Sequence, residues 1–595
     1  MIESQLQTPD YIVVAGYFVV LLAIGVYLKR FMRQAGDYFT GGRRMPWWLA
    51  GVSYYMTTFS AFAFVAYGEV AYLYGWVAVT LGWVSVPACL VAARWTASRW
   101  RRARVDTPVE LLEARYSPFF RQLFAWSGFP LRIADDGLRL YSLGVFVSVA
   151  MGMDIFWAIT VSAVVLLVYT FLGGLWAVAV TDFVQGIVLF LALLIIFPLA
   201  LVRGGGFDGL LESAPSAGYL SAFNPPYSAV YVLGFFILIL LNYNAGWALV
   251  QRFYSVEDEG EARKVGLLAA ALHVIGPPLF YLPVMLSRDL LAGLENTRDA
   301  YAAMSLELLP VGLMGVMITA MFAASMSTLS SEYNVLASVA TRDIYQRLFR
   351  PNASEEHLLR AGRVFTVVIG LVILGIGLLV ALYPDTPLFS IMVTVFGVAV
   401  APMMLPLLGG LFFRRLSKRG AMFGFLVGLI TGFATLALQR LYLPGLGRFD
   451  PEWITFEFGA YAIFINVGVT VLAMIAYTVF ERRDAEEVER SRRFFARMDT
   501  PLEADREPAV EPAAESTPSP FRATGLGTAG IGVLLLGAAF FTATRQGMMI
   551  DVAAGIALTV GGLWMYRRST SEPRASVGVM DEQRRETLTG AERRS

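Results

Sequence analysis

The chain has 595 residues, of which 57% are hydrophobic and 16% charged, with a formal net charge of +1 at pH 7 and a mean hydropathy of +0.60. That composition places it among polytopic membrane proteins, and its basic residues, scattered through short loops, exclude a nucleic-acid-binding face. A single cysteine, Cys89, excludes an intrachain disulfide or a cysteine metal cluster, and the two histidines, His273 and His357, are too few and too isolated for a zinc centre.

The N-terminal segment MIESQLQTPD is acidic and polar and lacks the basic region of a cleavable signal peptide. Behind it, runs of about 18 or more mostly apolar residues mark thirteen predicted spans, at 10–28, 46–73, 76–96, 120–152, 154–172, 180–202, 229–251, 265–287, 310–340, 361–383, 388–413, 420–440 and 456–480. A charged, Pro- and Ala-rich stretch at 481–523 lacks apolar periodicity and reads as a flexible cytoplasmic linker. An additional hairpin within 524–566 supplies spans at 524–543 and 547–566, and the polar tail at 567–595 reads as disordered.

Basic residues cluster after spans one (Lys29, Arg30, Arg33, Arg43, Arg44), three (Arg94 to Arg115), nine (Arg342, Arg347, Arg350) and eleven (Arg414, Arg415, Lys418, Arg419), whereas the loops at 203–228 and 441–455 hold few. The positive-inside rule then puts the N-terminus outside and the C-terminus in the cytoplasm. The expected location is the plasma membrane, which in a bacterium is the inner membrane.

Polar residues inside the spans point to function. An aspartate at the bilayer centre costs about 2.5 to 3.5 kcal/mol on insertion scales and asks for a partner. Asp182 is such a residue, and span nine carries a hydroxyl cluster, Ser325, Ser327, Thr328, Ser330 and Ser331. A carboxylate beside hydroxyls and freed carbonyls suits a hard cation, although such hydroxyls also bond back to their own helix or pack at small-residue contacts. In span four, Arg132, Asp135, Asp136 and Arg139 fall within about two turns, and i,i+4 pairing predicts Arg132 with Asp136 and Asp135 with Arg139. The alternative turns Asp135 toward a cavity, where it would accept bonds from solute hydroxyls or pair with a cationic group. The run Asn242 to Gly246 is poor for a continuous helix and predicts an interruption in span seven, while span two has neither proline nor glycine between Tyr54 and Ala66. No HExxH, P-loop or GxSxG motif is present. The chain is therefore not read as an enzyme, and a carrier, channel or sensor remains.

Five landmarks recur in order: DYFTGGRRMPWWLAG (37–51), GGLWAVAVTDFVQ (173–185), QRFYSVEDEGEARKVG (251–266), AASMSTLSSEYN with its trailing TRDIY (323–345), and GGLFFRRLSKRGA (409–421). Together they resemble the sodium:solute symporter family of sodium-coupled sugar, proline and sialic acid carriers, over about residues 8–480. The resemblance implies an all-α, LeuT-like core of five plus five helices in inverted repeat, at about 46–202 and 229–413, within a transmembrane domain at 1–480. One helix precedes that core and two follow it, and in such folds the first helix of each repeat is interrupted near the midplane. The family's common sodium site falls here on the main-chain carbonyls of Met56, Phe59 and Ala324 and the hydroxyls of Ser327 and Thr328. A second sodium, held by some members, falls on Asp182, Ser327, Ser330 and Ser331.

The resemblance places the solute between spans two and seven, among Thr58, Ser60, Asp135, Asn242, Tyr243, Trp247 and His273. Where galactose-type carriers have acidic and amide side chains this chain has Phe62, Ala63, Gly82 and Ser390 or Val393. Where those carriers have a lysine in span eight it has His273, which is equally open to helix packing. Where sialic acid carriers have a carboxylate-binding arginine it has Asp135, which argues against a simple anion. Tyr243 and Trp247 are open to either an aromatic platform or plain packing. The expected function is sodium-coupled import of a small polar solute, a sugar or polyol first, by alternating access. An amino acid or organic acid carrier, or a transporter-derived sensor with a protein partner at the C-terminal linker and hairpin, stays as the alternative.

Overall fold

A computed structural model describes residues 6–29, 43–172, 175–310, 312–383, 388–502, 520–540, 542 and 545–571. Residues 37–42 and 173–174 of the landmarks, 503–519 of the linker and 572–595 of the tail lie outside them. The described residues are almost entirely helical, with two isolated β-bridges. Along the chain run α1 (Thr8–Lys29), α2 (Trp47–Thr57), α3 (Ala61–Tyr74), α4 (Val77–Ala103), α5 (Pro118–Met151), α6 (Ile155–Leu172), α7 (Leu175–Arg203), α8 (Ala229–Ala245), α9 (Trp247–Tyr254) and α10 (Glu259–Leu286). They are followed by α11 (Leu313–Ser338), α12 (Glu355–Ala381), α13 (Leu388–Phe412), α14 (Lys418–Ala437), α15 (Glu457–Phe480), α16 (Ala485–Asp499), α17 (Pro520–Ala539) and α18 (Arg545–Ser571).

Among the described residues eleven helices are long and apolar enough to cross a membrane, and three bent pairs pass the same test together. Two of those pairs, α2 with α3 at 54° and α8 with α9 at 44°, are single spans broken in the middle. The third, α5 with α6, turns through 116° and is a hairpin of two long helices. Ser117 caps the start of α5 by accepting from the Phe120 N–H at 3.2 Å, and Gly152 ends it in the left-handed conformation at φ 63°. At the centre stands α11, whose apolar stretch is wholly buried and which packs against α1, α2, α5, α7 and α12. A helix surrounded by helices has no lipid-facing side, so its small and hydroxylic residues serve close contacts and polar partners.

One C-terminal expectation is corrected. The linker predicted at 481–523 is helical over α16, whose Phe494, Phe495 and Met498 are buried. Its apolar residues escape notice because nine of its fifteen residues are charged or otherwise polar, yet Phe494, Phe495 and Met498 fall at i, i+1 and i+4 on one face. Asp484 caps it by accepting from the Glu487 N–H at 2.7 Å and pairs with Lys418 at 2.6 Å, while Arg102 donates to the Met498 carbonyl at 3.1 Å. The hairpin α17–α18 lies on α1 and α7, with Phe521 stacked on Trp48 at 5.0 Å. Both pieces thus dock on their own core, and nothing in the structure supports the partner expected there.

Candidate functional site

The break between α2 and α3 is made by hydroxyls. Thr58 Oγ1 closes onto the Tyr55 carbonyl at 2.6 Å, and Ser60, extended at φ −149° and ψ −179°, caps α3 by accepting from the Phe62 N–H at 3.3 Å. Ser325 on α11 accepts from the Ala61 N–H at 2.9 Å and ties the break to the central helix. Facing it, Thr328 Oγ1 donates to the Phe59 carbonyl and lies 3.3 Å from the carbonyls of both Met56 and Ala324. A hydroxyl has one proton to give, so three carbonyls converging on it present more lone pairs than it can satisfy. Ser327 Oγ, next along α11, is buried with no hydrogen-bond partner among the described residues. This cluster of oxygens with surplus acceptor capacity is the chemistry a small hard cation needs.

Asp182 on α7 is fully buried and accepts a hydrogen bond from Ser53 Oγ. Its second carboxylate oxygen, Oδ1, has no hydrogen bond among the described residues. Of its expected companions, Ser330 and Ser331 donate to the Ser327 carbonyl at 3.4 and 2.7 Å, the back-bonded geometry left open above. Sequence reasoning missed Arg252. Its guanidinium, fully buried on α9, stands 3.6 Å from Asp182 and donates to Ser53 Oγ at 3.0 Å and Ser331 Oγ at 2.5 Å. The signal was available: a membrane carboxylate that stays ionised when buried requires a counter-charge, and Arg252 lies six residues beyond the span-seven interruption at Gly246.

The predicted solute residues divide into two groups. Thr58, Tyr243 and His273 come together, with His273 Nε2 3.2 Å from Thr58 Oγ1 and 3.4 Å from the Tyr243 hydroxyl. His273 Nδ1 lies 2.8 Å from the Ala269 carbonyl and donates to it, which leaves Nε2 as acceptor, and Ser85 adds a hydroxyl 3.1 Å from Tyr243. Rings of Tyr55, Phe59 and Phe280 surround this group. Asp135 and Asn242 instead line a cavity of about 50 Å³ with Arg132, Arg139 and Glu332. There Asp135 pairs with Arg139 at 2.9 Å as predicted, but Arg132 pairs with Glu332 at 2.8 Å, not with Asp136. Arg132 instead extends across the Trp247 ring, 4.5 Å from its centroid, a cation–π contact that directs it toward α11. Trp247 is fully buried and seated against Gly128, where an added Cβ would meet the ring at 2.5 Å. Its ring is a packing element in this conformation.

Residues 38–428 match the sequence model described as the Sodium:solute symporter family. A sodium/sialic acid symporter of Aliivibrio fischeri is 30% identical over 454 residues, covering 73% of this chain and 88% of that protein. A sodium/glucose cotransporter of Danio rerio is 27% identical, covering 80% and 79% respectively. In structure, a sodium-coupled sialic acid symporter in a substrate-bound outward-open state superposes with a TM-score of 0.70 at 24% identity, over 80% of this chain and 98% of that one. The chain thus shares the inverted-repeat fold of that carrier, and with its oxygen-lined break and its family match it belongs to the sodium:solute symporters, multi-pass carriers that couple sodium to the movement of a small solute.

Proposed function

We propose that sodium held by the carbonyls of Met56, Phe59 and Ala324 and the hydroxyls of Ser327 and Thr328 drives import of a sugar or polyol by alternating access. The observation that carries this reading is the convergence of three carbonyls on the single hydroxyl of Thr328. Sodium entering from outside bridges the α2–α3 break to α11 and favours the outward-facing form. Inward rotation separates those two elements and releases the ion. One sodium crossing 100 mV contributes about 2.3 kcal/mol.

A sugar or polyol is supported by the Thr58, Ser85, Tyr243 and His273 group, whose neutral donors and acceptors beside aromatic rings suit a hydroxylated ring. The relatives' names agree, since they include glucose, mannose and myo-inositol cotransporters. The charged cavity around Asp135 favours a second reading, a zwitterionic solute such as an amino acid. A second sodium at Asp182, Ser327, Ser330 and Ser331 requires the Arg252 guanidinium to withdraw, because that cation already neutralises the carboxylate. The basic loops support an N-terminus outside and a C-terminus in the cytoplasm of a plasma membrane.

A thermal-shift screen of sugars, polyols, amino acids and carboxylates, each with sodium and with potassium, tests the assignment. A coupled solute stabilises more in sodium. Hits confined to amino acids would replace the sugar reading, and a hit indifferent to sodium would remove the coupling.

A further inference from the structure

The charge cluster on α5 is balanced without one of its members. Arg139 is committed to Asp135 at 2.9 Å and Arg132 to Glu332 of α11 at 2.8 Å, so two cations and two anions cancel. Asp136 is left over. It is 1% exposed, and neither carboxylate oxygen has a hydrogen-bond partner among the described residues. Beside it on α11, the hydroxyl of Tyr333 is likewise fully buried without a hydrogen-bond partner among the described residues.

Among the described residues the surroundings offer no further cation. The charged groups facing Asp136 are Glu332 from α11 and Asp135, Arg132 and Arg139 from its own helix. The α12 segment 364–381 packed against α5 contains no titratable residue, and α13 contains none. Titratable groups on α3 and α6 are engaged elsewhere: Tyr67 stacks on Tyr281, Glu69 accepts from Thr297, Tyr72 donates to the Leu291 carbonyl, Tyr74 packs on Tyr227, and Tyr169 bonds Thr181. Gly137 keeps α12 close, since a Cβ there would stand 2.3 Å from the Ile376 side chain, and this shuts the position from lipid and water. An ionised carboxylate with no donor in such a place neutralises itself rather than remain charged.

We propose that Asp136 is a proton-binding site, a neutral carboxylic acid in this conformation, with Tyr333 as its neighbouring hydroxyl. Opening the Arg132–Glu332 or Arg139–Asp135 pair frees a guanidinium to face Asp136, whose O–H bond then breaks. The electron pair stays on the carboxylate and the proton passes to water in the adjoining cavity. Because both pairs line that cavity, a solute that engages them couples its own binding to protonation. The inference is independent of the sodium reading, and its test uses neither solute nor gradient.

Infrared spectra of the purified full chain in liposomes, at neutral pH in potassium buffer, decide it. The difference between the native protein and Asp136→Asn should contain the C=O stretch of a protonated carboxyl, shifted down in D2O, and Asp136→Glu should move that band rather than erase it. The melting temperature of Asp136→Asn should be unchanged or raised. A difference showing carboxylate stretches instead would overturn the proposal, as would carboxylate bands that shift on adding sodium, the mark of a metal site. If Asp136→Asn does not fold, the Asp136→Glu spectrum gives the same decision.

Discussion

Arg252 is the residue on which the proposed second cation position turns. Removing one partner of a buried ion pair costs about 3 to 5 kcal/mol because the other charge is left behind. Arg252→Gln should therefore be strongly destabilised in potassium, with Asp182 and Ser327 left facing an uncompensated site. Sodium should restore much of that loss, about 2.7 kcal/mol at a hundredfold excess over its dissociation constant. Thermal unfolding in the two salts checks it, and a sodium effect no larger than in the native chain would mean that sodium does not replace the guanidinium. Tyr243→Phe removes one hydroxyl from the Thr58, Ser85 and His273 group. Solute affinity should fall about fivefold, a loss of about 1 kcal/mol, and an unchanged affinity would move the solute away from this group.

Residues spaced along one helix were legible in the sequence, and residues joined across helices were not. Ala324, Ser327 and Thr328 stand at i, i+3 and i+4, so their shared face follows from helix geometry, and the structure sets Thr328 against Met56 and Phe59. Asp135 with Arg139 is equally local. Arg252 with Asp182, and Arg132 with Glu332, join positions far apart in the chain, and no spacing rule reaches them.

At the scale of elements, the two broken helices show what sequence does and does not disclose. The α8–α9 break sits at Gly246, where a poor helix-forming run announces it. The α2–α3 break lacks glycine and proline because Thr58 and Ser60 supply local hydrogen bonds that compete with the helical ladder, a use of hydroxyls that resembles ordinary helix content until the backbone is seen. Helix α16 was obscured by its charge. Phe495 is 2% exposed, with the guanidinium carbons of Arg115 and Arg414 5.3 and 5.4 Å from its ring. Phe495→Ala should weaken docking of α16 by about 3 kcal/mol, read as faster proteolysis within 485–499 while the membrane core stays folded. Unaltered protection would mean that the helix is held by its polar contacts alone.

The whole molecule is a central post, α11, ringed by helices and faced by two broken spans, so an ion held as proposed between α2–α3 and α11 would bear on the relative position of large pieces. The appended α17 extends that packing onto α1 and α7, with α18 packed on α17, and so buttresses the helix that carries Asp182. Such an arrangement converts ion binding into a conformational bias only if the oxygens around Thr328 hold the ion. Equilibrium binding of radiolabelled sodium to the purified chain, compared with the folded Ser327→Ala, Thr328→Ala double variant, tests this directly. The native chain should bind sodium saturably, without competition from potassium, and the double variant should lose that binding; a double variant that binds sodium as the native chain does would contradict the site.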